Sequence, residues 1–123
     1  MRLLLDTHVL LWSRSSPGRL LAGQREAIAD PRNTVFVSAI TVAEIGIKSA
    51  IGKLTVTSGF TDSFADFGLE ELPFTTAHAW RLNELPPHHR DPFDRMLICQ
   101  AIVDDLVFVT ADARCAQYEV RTL

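Results

Sequence analysis

Apolar residues fall along this chain in short blocks whose period changes repeatedly. Arg2-Leu3-Leu4-Leu5 opens with an unbroken apolar run, which predicts a strand buried on both faces. A short helix is expected from Thr7 towards Ser13, broken by Ser15-Ser16-Pro17-Gly18. Pro17 to Ala29 reads as a second helix, with Leu20, Leu21, Ala27 and Ile28 apolar, and Asp30-Pro31-Arg32-Asn33 ends it. Thr34-Val35-Phe36-Val37 is a β-branched and aromatic strand. Ser38 then opens a long helix through Ile40, Ala43, Ile47 and Ile51, apolar at helical spacing, with Gly52 as its stop. Phe60 to Phe67 predicts a short helix and Glu70 to Phe74 a short strand. Thr75 to Leu85 is amphipathic and helical, and Pro86-Pro87-His88-His89-Arg90 is a loop. Asp91 and Pro92 start a helix that runs to Asp104, Asp91 as cap and Pro92 in the first turn. Leu106 to Val109 is a strand, and Glu119 to Thr122 reads as a last edge strand. Strands alternate with helices, which predicts an α/β fold: a three-layer α/β/α sandwich on a mostly parallel sheet, as one domain over residues 1–123.

Composition narrows the function classes. A chain of 123 residues with 47% hydrophobic residues suits one packed core rather than disorder. The net charge of -3 provides no global basic field, so any RNA contact needs a local patch or a metal bridge. Cys99 and Cys115 lack metal-ligand spacing and read as free thiols in a reducing compartment, with a single disulfide the alternative. Asp6 and His8 interrupt the apolar N-terminal run, so it is not expected to be a signal peptide. No stretch approaches the roughly 20 apolar residues that a bilayer requires. The expectation is a soluble, cytoplasmic protein with no membrane partner.

Five acids stand at the front ends of predicted helices: Asp6, Glu44, Asp91, Asp94 and Asp112. In a parallel α/β sheet all strands end on one edge, so such acids would converge there, where the ligand sites of these sheets lie. Two like charges about 4 Å apart repel by roughly 4 kcal/mol at an effective dielectric of about 20. Such a cluster therefore predicts a hard cation, which would polarise a phosphate and lower the pKa of a bound water.

Each acid has a plainer explanation as well. Asp6 can cap the helix at Thr7. Thr41-Val42-Ala43-Glu44 fits a capping box, unless the helix starts at Ser38, which frees Glu44 to face the site. Asp91 is assigned mainly to capping, Asp94 can do either job, and Asp112 can cap a short turn. No capping role explains why Asp6, Glu44, Asp94 and Asp112 should all reach one edge. Arg90 and Arg95 can hold carboxylates or phosphates, though a solvated surface charge is the default for each. Lys48 can pair with Glu44 at i,i+4 or reach a phosphate. Ser38 caps a helix or orients Asp6. His88 and His89 read as surface loop, His8 and His78 as packing or surface residues, and Trp12 and Trp80 as core or subunit interface. No G-x-G-x-x-G or Walker loop supports a nucleotide cofactor.

Leu5-Asp6-Thr7-His8, Val37-Ser38-Ala39-Ile40-Thr41-Val42-Ala43-Glu44-Ile45 with Lys48 and Gly52, His89-Arg90-Asp91-Pro92-Phe93-Asp94-Arg95-Met96-Leu97-Ile98, and Val109-Thr110-Ala111-Asp112 resemble, in order, the four acidic motifs of PIN domains. The likeness covers essentially the whole chain and is closest to the toxin of VapBC-type toxin–antitoxin pairs. It implies a Mg²⁺- or Mn²⁺-dependent ribonuclease with Asp6, Glu44, Asp94 and Asp112 as catalytic metal ligands, supported by Ser38 or Thr110. It also implies a homodimer, a VapB-like antitoxin whose tail enters the acidic groove, and structured RNA, tRNA or ribosomal RNA, as substrate. Asp91 fits a subfamily pattern that allows it a ligand role. Where the family often places an aromatic three residues after the last acid, this chain has Cys115. The competing expectations are a phospho-acceptor domain using Asp6 and a metal, with Thr110 as sensing hydroxyl, and an inactive binding domain. The first lacks a lysine after the last strand; the second is hard to square with four retained acids.

Overall fold

A computed structural model describes residues 1–123. Four strands form the sheet: β1 (Arg2–Leu5), β2 (Thr34–Ser38), β3 (Leu69–Leu72) and β4 (Val107–Val109). Five α-helices surround it: α1 (Thr7–Ser15), α2 (Ala22–Ala29), α3 (Ala39–Ala50), α4 (Thr76–Arg81) and α5 (Pro92–Val103). The strand order is β3-β2-β1-β4, and every pairing is parallel.

The apolar run Leu3-Leu4-Leu5 is fully buried because side chains alternate across a strand. Leu3 and Leu5 join one core with Val9, Leu10, Ala27, Val35, Val37 and Val107. Leu4 points the other way and joins Leu97, Ile98, Ala101 and Phe108. Helices α1 and α2 therefore cover one sheet face and α5 the other, giving the three-layer α/β/α architecture.

Several boundaries differ from the sequence expectation. The helix expected from Pro17 to Ala29 is a 3₁₀ turn at Pro17–Arg19 followed by α2, because Leu20 and Leu21 are extended and Leu20 turns into the core. Phe60 to Phe67 forms two 3₁₀ turns, Thr61–Ser63 and Ala65–Phe67, rather than one helix. Helix α4 ends at Arg81 and continues only as a 3₁₀ turn at Leu82–Glu84. The edge strand expected at Glu119 to Thr122 reduces to one parallel bridge between Thr122 and Phe108. Gly52 stops α3 as expected, at φ +76°, where a side chain would be strained.

The orientation of α3 is the main departure. The C-terminal part of its apolar stripe does not face the core: Ile47 and Ile51 are 53% and 61% exposed, while Ile40 packs against the core on the α5 side. The buried face carries Thr41, Glu44 and Ile45. Periodicity locates an apolar face but cannot tell a core contact from bare surface when the adjoining face has buried polar partners waiting for it.

The candidate acidic metal site

The chain lays down β1, β2 and β3 in one direction and then returns to place β4 on the far side of β1. The crevice at the carboxyl ends of β1 and β4 is thus a topological switch point, where open α/β sheets bind their ligands. The Asp6 backbone N–H donates to the Val109 carbonyl at 3.0 Å and ties the two strand ends together there. A pocket of about 720 Å³ opens at this point, and Asp6, Asp91, Asp94 and Asp112 line it with His8, Trp12, His89, Arg90 and Arg114.

Asp6 caps α1, as expected: its Oδ1 accepts from the Val9 N–H at 2.7 Å. Its Oδ2 accepts from the Thr110 hydroxyl at 2.6 Å. Burial pushes the Asp6 carboxyl up from the usual range, and the Thr110 and Val9 donors partly offset that push. Ser38 does not orient Asp6 and stands outside the pocket. Its hydroxyl caps Ile40 and donates to the Gln100 side chain, linking α3 to α5. Thr110 holds the supporting position instead.

Asp91 caps α5 through the N–H groups of Phe93 and Asp94. That cap places Asp94 in the first turn, facing the pocket. The Asp94 carboxyl is pushed up to about 6, first by burial and then by the nearby Asp91, with Asp6 and Glu44 adding to it and His89 opposing it. Asp112 has the opposite environment. Arg114 forks onto both of its oxygens at 3.0 and 2.8 Å and, with His89, holds the carboxyl well below the usual range.

Glu44 is brought close but does not line the pocket. It is buried on α3, accepts from the Thr7 hydroxyl at 2.7 Å and pairs with Lys48 one turn on. Lys48 therefore takes the i,i+4 partner rather than a phosphate. Arg95 is also spent on structure: it donates to the carbonyls of Leu85, Pro86 and His89. Arg90 and Arg114 remain at the pocket wall.

His89 is the residue that sequence reasoning missed. Expected in a surface loop, it is 4% exposed, with Nε2 2.9 Å from Asp112 and 3.1 Å from Asp94. The Pro86 to Arg90 composition signals a turn and hides the burial, which comes from contacts with α5 and the chain after β4. His78 packs as one of the two expected options, buried against Asp104. His8 is exposed and Trp12 half-buried at the pocket, while Trp80 is 71% exposed and so is not core.

The donors suit a divalent cation. Asp6, Asp94 and Asp112 offer hard oxygens, and the Asp94 carboxyl is raised first by burial and then by the neighbouring Asp91, a setting that a bound cation would relieve. His89, Asp112 and Cys115 also bring one ligand-type atom each within 4.8 Å of one another. Burial pushes the Cys115 thiol up to about 12, so it stays protonated and is a poor partner for a hard ion. Both cysteines are free and buried. No helix is long and apolar enough to cross a membrane.

Solved structures share this architecture. The chain is similar to VapBC2 from Rickettsia felis, a structure with a promoter DNA fragment, at TM-score 0.75 and 17% identity over 100% of this chain and 98% of that one. DNA-bound VapBC from Salmonella typhimurium gives a TM-score of 0.67 and 20% identity over 100% and 97% of the two chains. FitAcB from Neisseria gonorrhoeae gives 0.61 and 20% over 98% and 96%. At these identities the likeness establishes the fold. Curated protein sequences give no significant match. The family model of the PIN domain matches residues 3–121, so nearly the whole chain, with its parallel sheet and its acidic switch-point pocket, belongs to the PIN domain family.

Proposed function

We propose that this protein is the toxin of a VapBC-type pair, a metal-dependent endoribonuclease that hydrolyses phosphodiester bonds in structured RNA such as tRNA or ribosomal RNA. The observation that carries the reading is the meeting of Asp6, Asp94 and Asp112 around one open pocket at the switch point. Mg²⁺ or Mn²⁺, when bound, would supply Lewis acidity and neutralise charge on the phosphate.

Asp6, Asp94 and Asp112 are assigned as its ligands, with Glu44 completing the set through a carboxylate now turned to Thr7 and Lys48. Asp6 is held rigid by its two hydrogen bonds, so its oxygens are aimed before an ion arrives. Water attacks phosphorus, the bond from phosphorus to the leaving ribose oxygen breaks, and a proton passes to that oxygen. Arg90 at the pocket wall offers the local cation that an acidic protein needs to hold an RNA backbone, Arg114 being forked onto Asp112.

The likeness to VapBC and FitAcB structures supports a cognate VapB-like antitoxin as partner; the homodimer rests on the motif resemblance alone. Ile47 and Ile51, exposed one turn apart on α3, are apolar surface that such contacts would cover. The phospho-acceptor alternative is disfavoured because no lysine lines the pocket.

The test is RNA cleavage by purified protein with Mn²⁺, with cut ends mapped by sequencing. Asp6→Asn should abolish cleavage while circular dichroism shows the fold retained. Cleavage by that variant at the wild-type rate, free of contaminating nuclease, would overturn the proposal.

A further inference from the structure

His89 is anchored from every side. Its backbone N–H donates to the Tyr118 hydroxyl at 2.8 Å, and its carbonyl accepts from Arg95 at 3.3 Å. Ring Nδ1 accepts from the Asp91 backbone N–H at 3.0 Å. An accepting Nδ1 carries a lone pair, so in this neutral ring the proton sits on Nε2. That proton is donated to Asp112 Oδ2 at 2.9 Å, and Asp94 Oδ2 lies 3.1 Å from the same nitrogen. Direct ligation of an ion through Nε2 would move the proton to Nδ1, against the Asp91 N–H. Tyr118, which holds the loop, is itself buried and follows the 3₁₀ turn Ala113–Gln117.

The two acids come from different elements, Asp94 from α5 and Asp112 from the turn after β4. His89 Nε2 is the side-chain atom that approaches both of them. We infer that His89 is a positioning residue: hydrogen-bonded to Asp112 and wedged against Asp94, its Nε2–H edge sets the spacing of the two carboxylates so that both face a common divalent cation. The inference rests on the metal-dependent reading above. Residues that orient metal ligands by hydrogen bonding commonly change metal affinity by about 10–100-fold when removed.

The experiment is calorimetric titration of Mn²⁺ into metal-free full-length protein, for wild type, His89→Ala, His89→Gln and His89→Asn, with thermal unfolding to confirm each fold. Gln extends its amide N–H to about the reach of Nε2, whereas Asn places it near Nδ1. His89→Ala and His89→Asn should bind Mn²⁺ roughly tenfold or more weakly, and His89→Gln should recover most of the affinity. The comparison of Gln with Asn stands even where the Ala variant does not fold. Equal affinity in wild type and His89→Ala, or a Gln variant no better than Asn, overturns the positioning role alone. A folded wild type without saturable Mn²⁺ heat overturns the metal reading and this inference with it.

Discussion

Thr110 and Asp6 stand 104 positions apart in the chain, yet the Thr110 hydroxyl donates to Asp6 Oδ2 at 2.6 Å. The contact exists because β4 pairs with β1 in parallel, bringing Val109 opposite Leu5 and leaving the next residues of both strands side by side. It joins the first acidic motif to the last. Replacing Thr110 by Val keeps the shape and removes the donor, leaving a buried carboxylate oxygen unpaired. The expected cost is about 1–3 kcal/mol of stability. Because this hydrogen bond opposes the upward push of burial on Asp6, the acidic limb of the cleavage rate should also move to higher pH. Urea unfolding and a pH–rate profile check the two effects separately.

Asp94 sits among Asp91, Asp6 and Glu44, and its ionised form is disfavoured without a cation. Asp94→Asn should therefore stop cleavage and stabilise the metal-free protein at neutral pH. One pKa unit corresponds to about 1.4 kcal/mol. The rise from 3.8 to about 6 bounds the gain near 3 kcal/mol, and solvent at the quarter-exposed carboxylate brings the expected value to roughly 1–2 kcal/mol. Thermal unfolding in the presence of chelator measures it; a lower melting temperature for the variant would contradict it.

The same shift fixes the sign of the pH dependence. Between pH 3.8 and about 6 the folded protein binds more protons at Asp94 than the unfolded chain does. Stability of the metal-free protein from this group thus rises as pH falls through that window. Asp112 acts in the other direction: its carboxyl is lowered by Arg114, so its contribution is present above about 4 and is lost below that. Melting curves of wild type and Asp94→Asn, compared between pH 4 and 7, should converge at the acidic end. Mn²⁺ affinity should weaken over the same range, because an ion requires the deprotonated carboxylate.

Glu44 is buried with only Thr7 and Lys48 to satisfy its charge. Lys48→Met keeps the apolar stem and removes the ammonium. Since removing one partner of a buried pair strands the other, the expected loss is about 1–3 kcal/mol, more than an exposed i,i+4 pair would give. Chemical denaturation gives the number. A loss of only a few tenths would mean that Glu44 is better solvated than its burial indicates.

The strands and caps were legible because their causes are local. Leu3-Leu4-Leu5 is apolar without a break because both sheet faces are covered, and Ser38, Asp91 and Asp6 are helix caps because a short polar side chain reaches its own exposed N–H groups. The acids could be named from their place at strand ends and helix starts. The roles of Ser38, Glu44 and His89 could not be separated that way. Nothing near Ser38 in the chain says that Gln100 takes its hydroxyl, and nothing near His89 says that Tyr118 closes over its loop.

The alternation of strand and helix, the parallel α/β class and the set of acids are written in residue type and spacing over a few positions, and so were readable before folding. Packing settled which face of α3 turns inward, that Thr110 rather than Ser38 bonds Asp6, that Glu44 stands off the pocket wall, and that a loop histidine lies against both Asp94 and Asp112. Those outcomes are set by partners far away in the chain. Burial and charge compensation depend on what other segments bring to the same point, and that information appears only when β4 docks against β1.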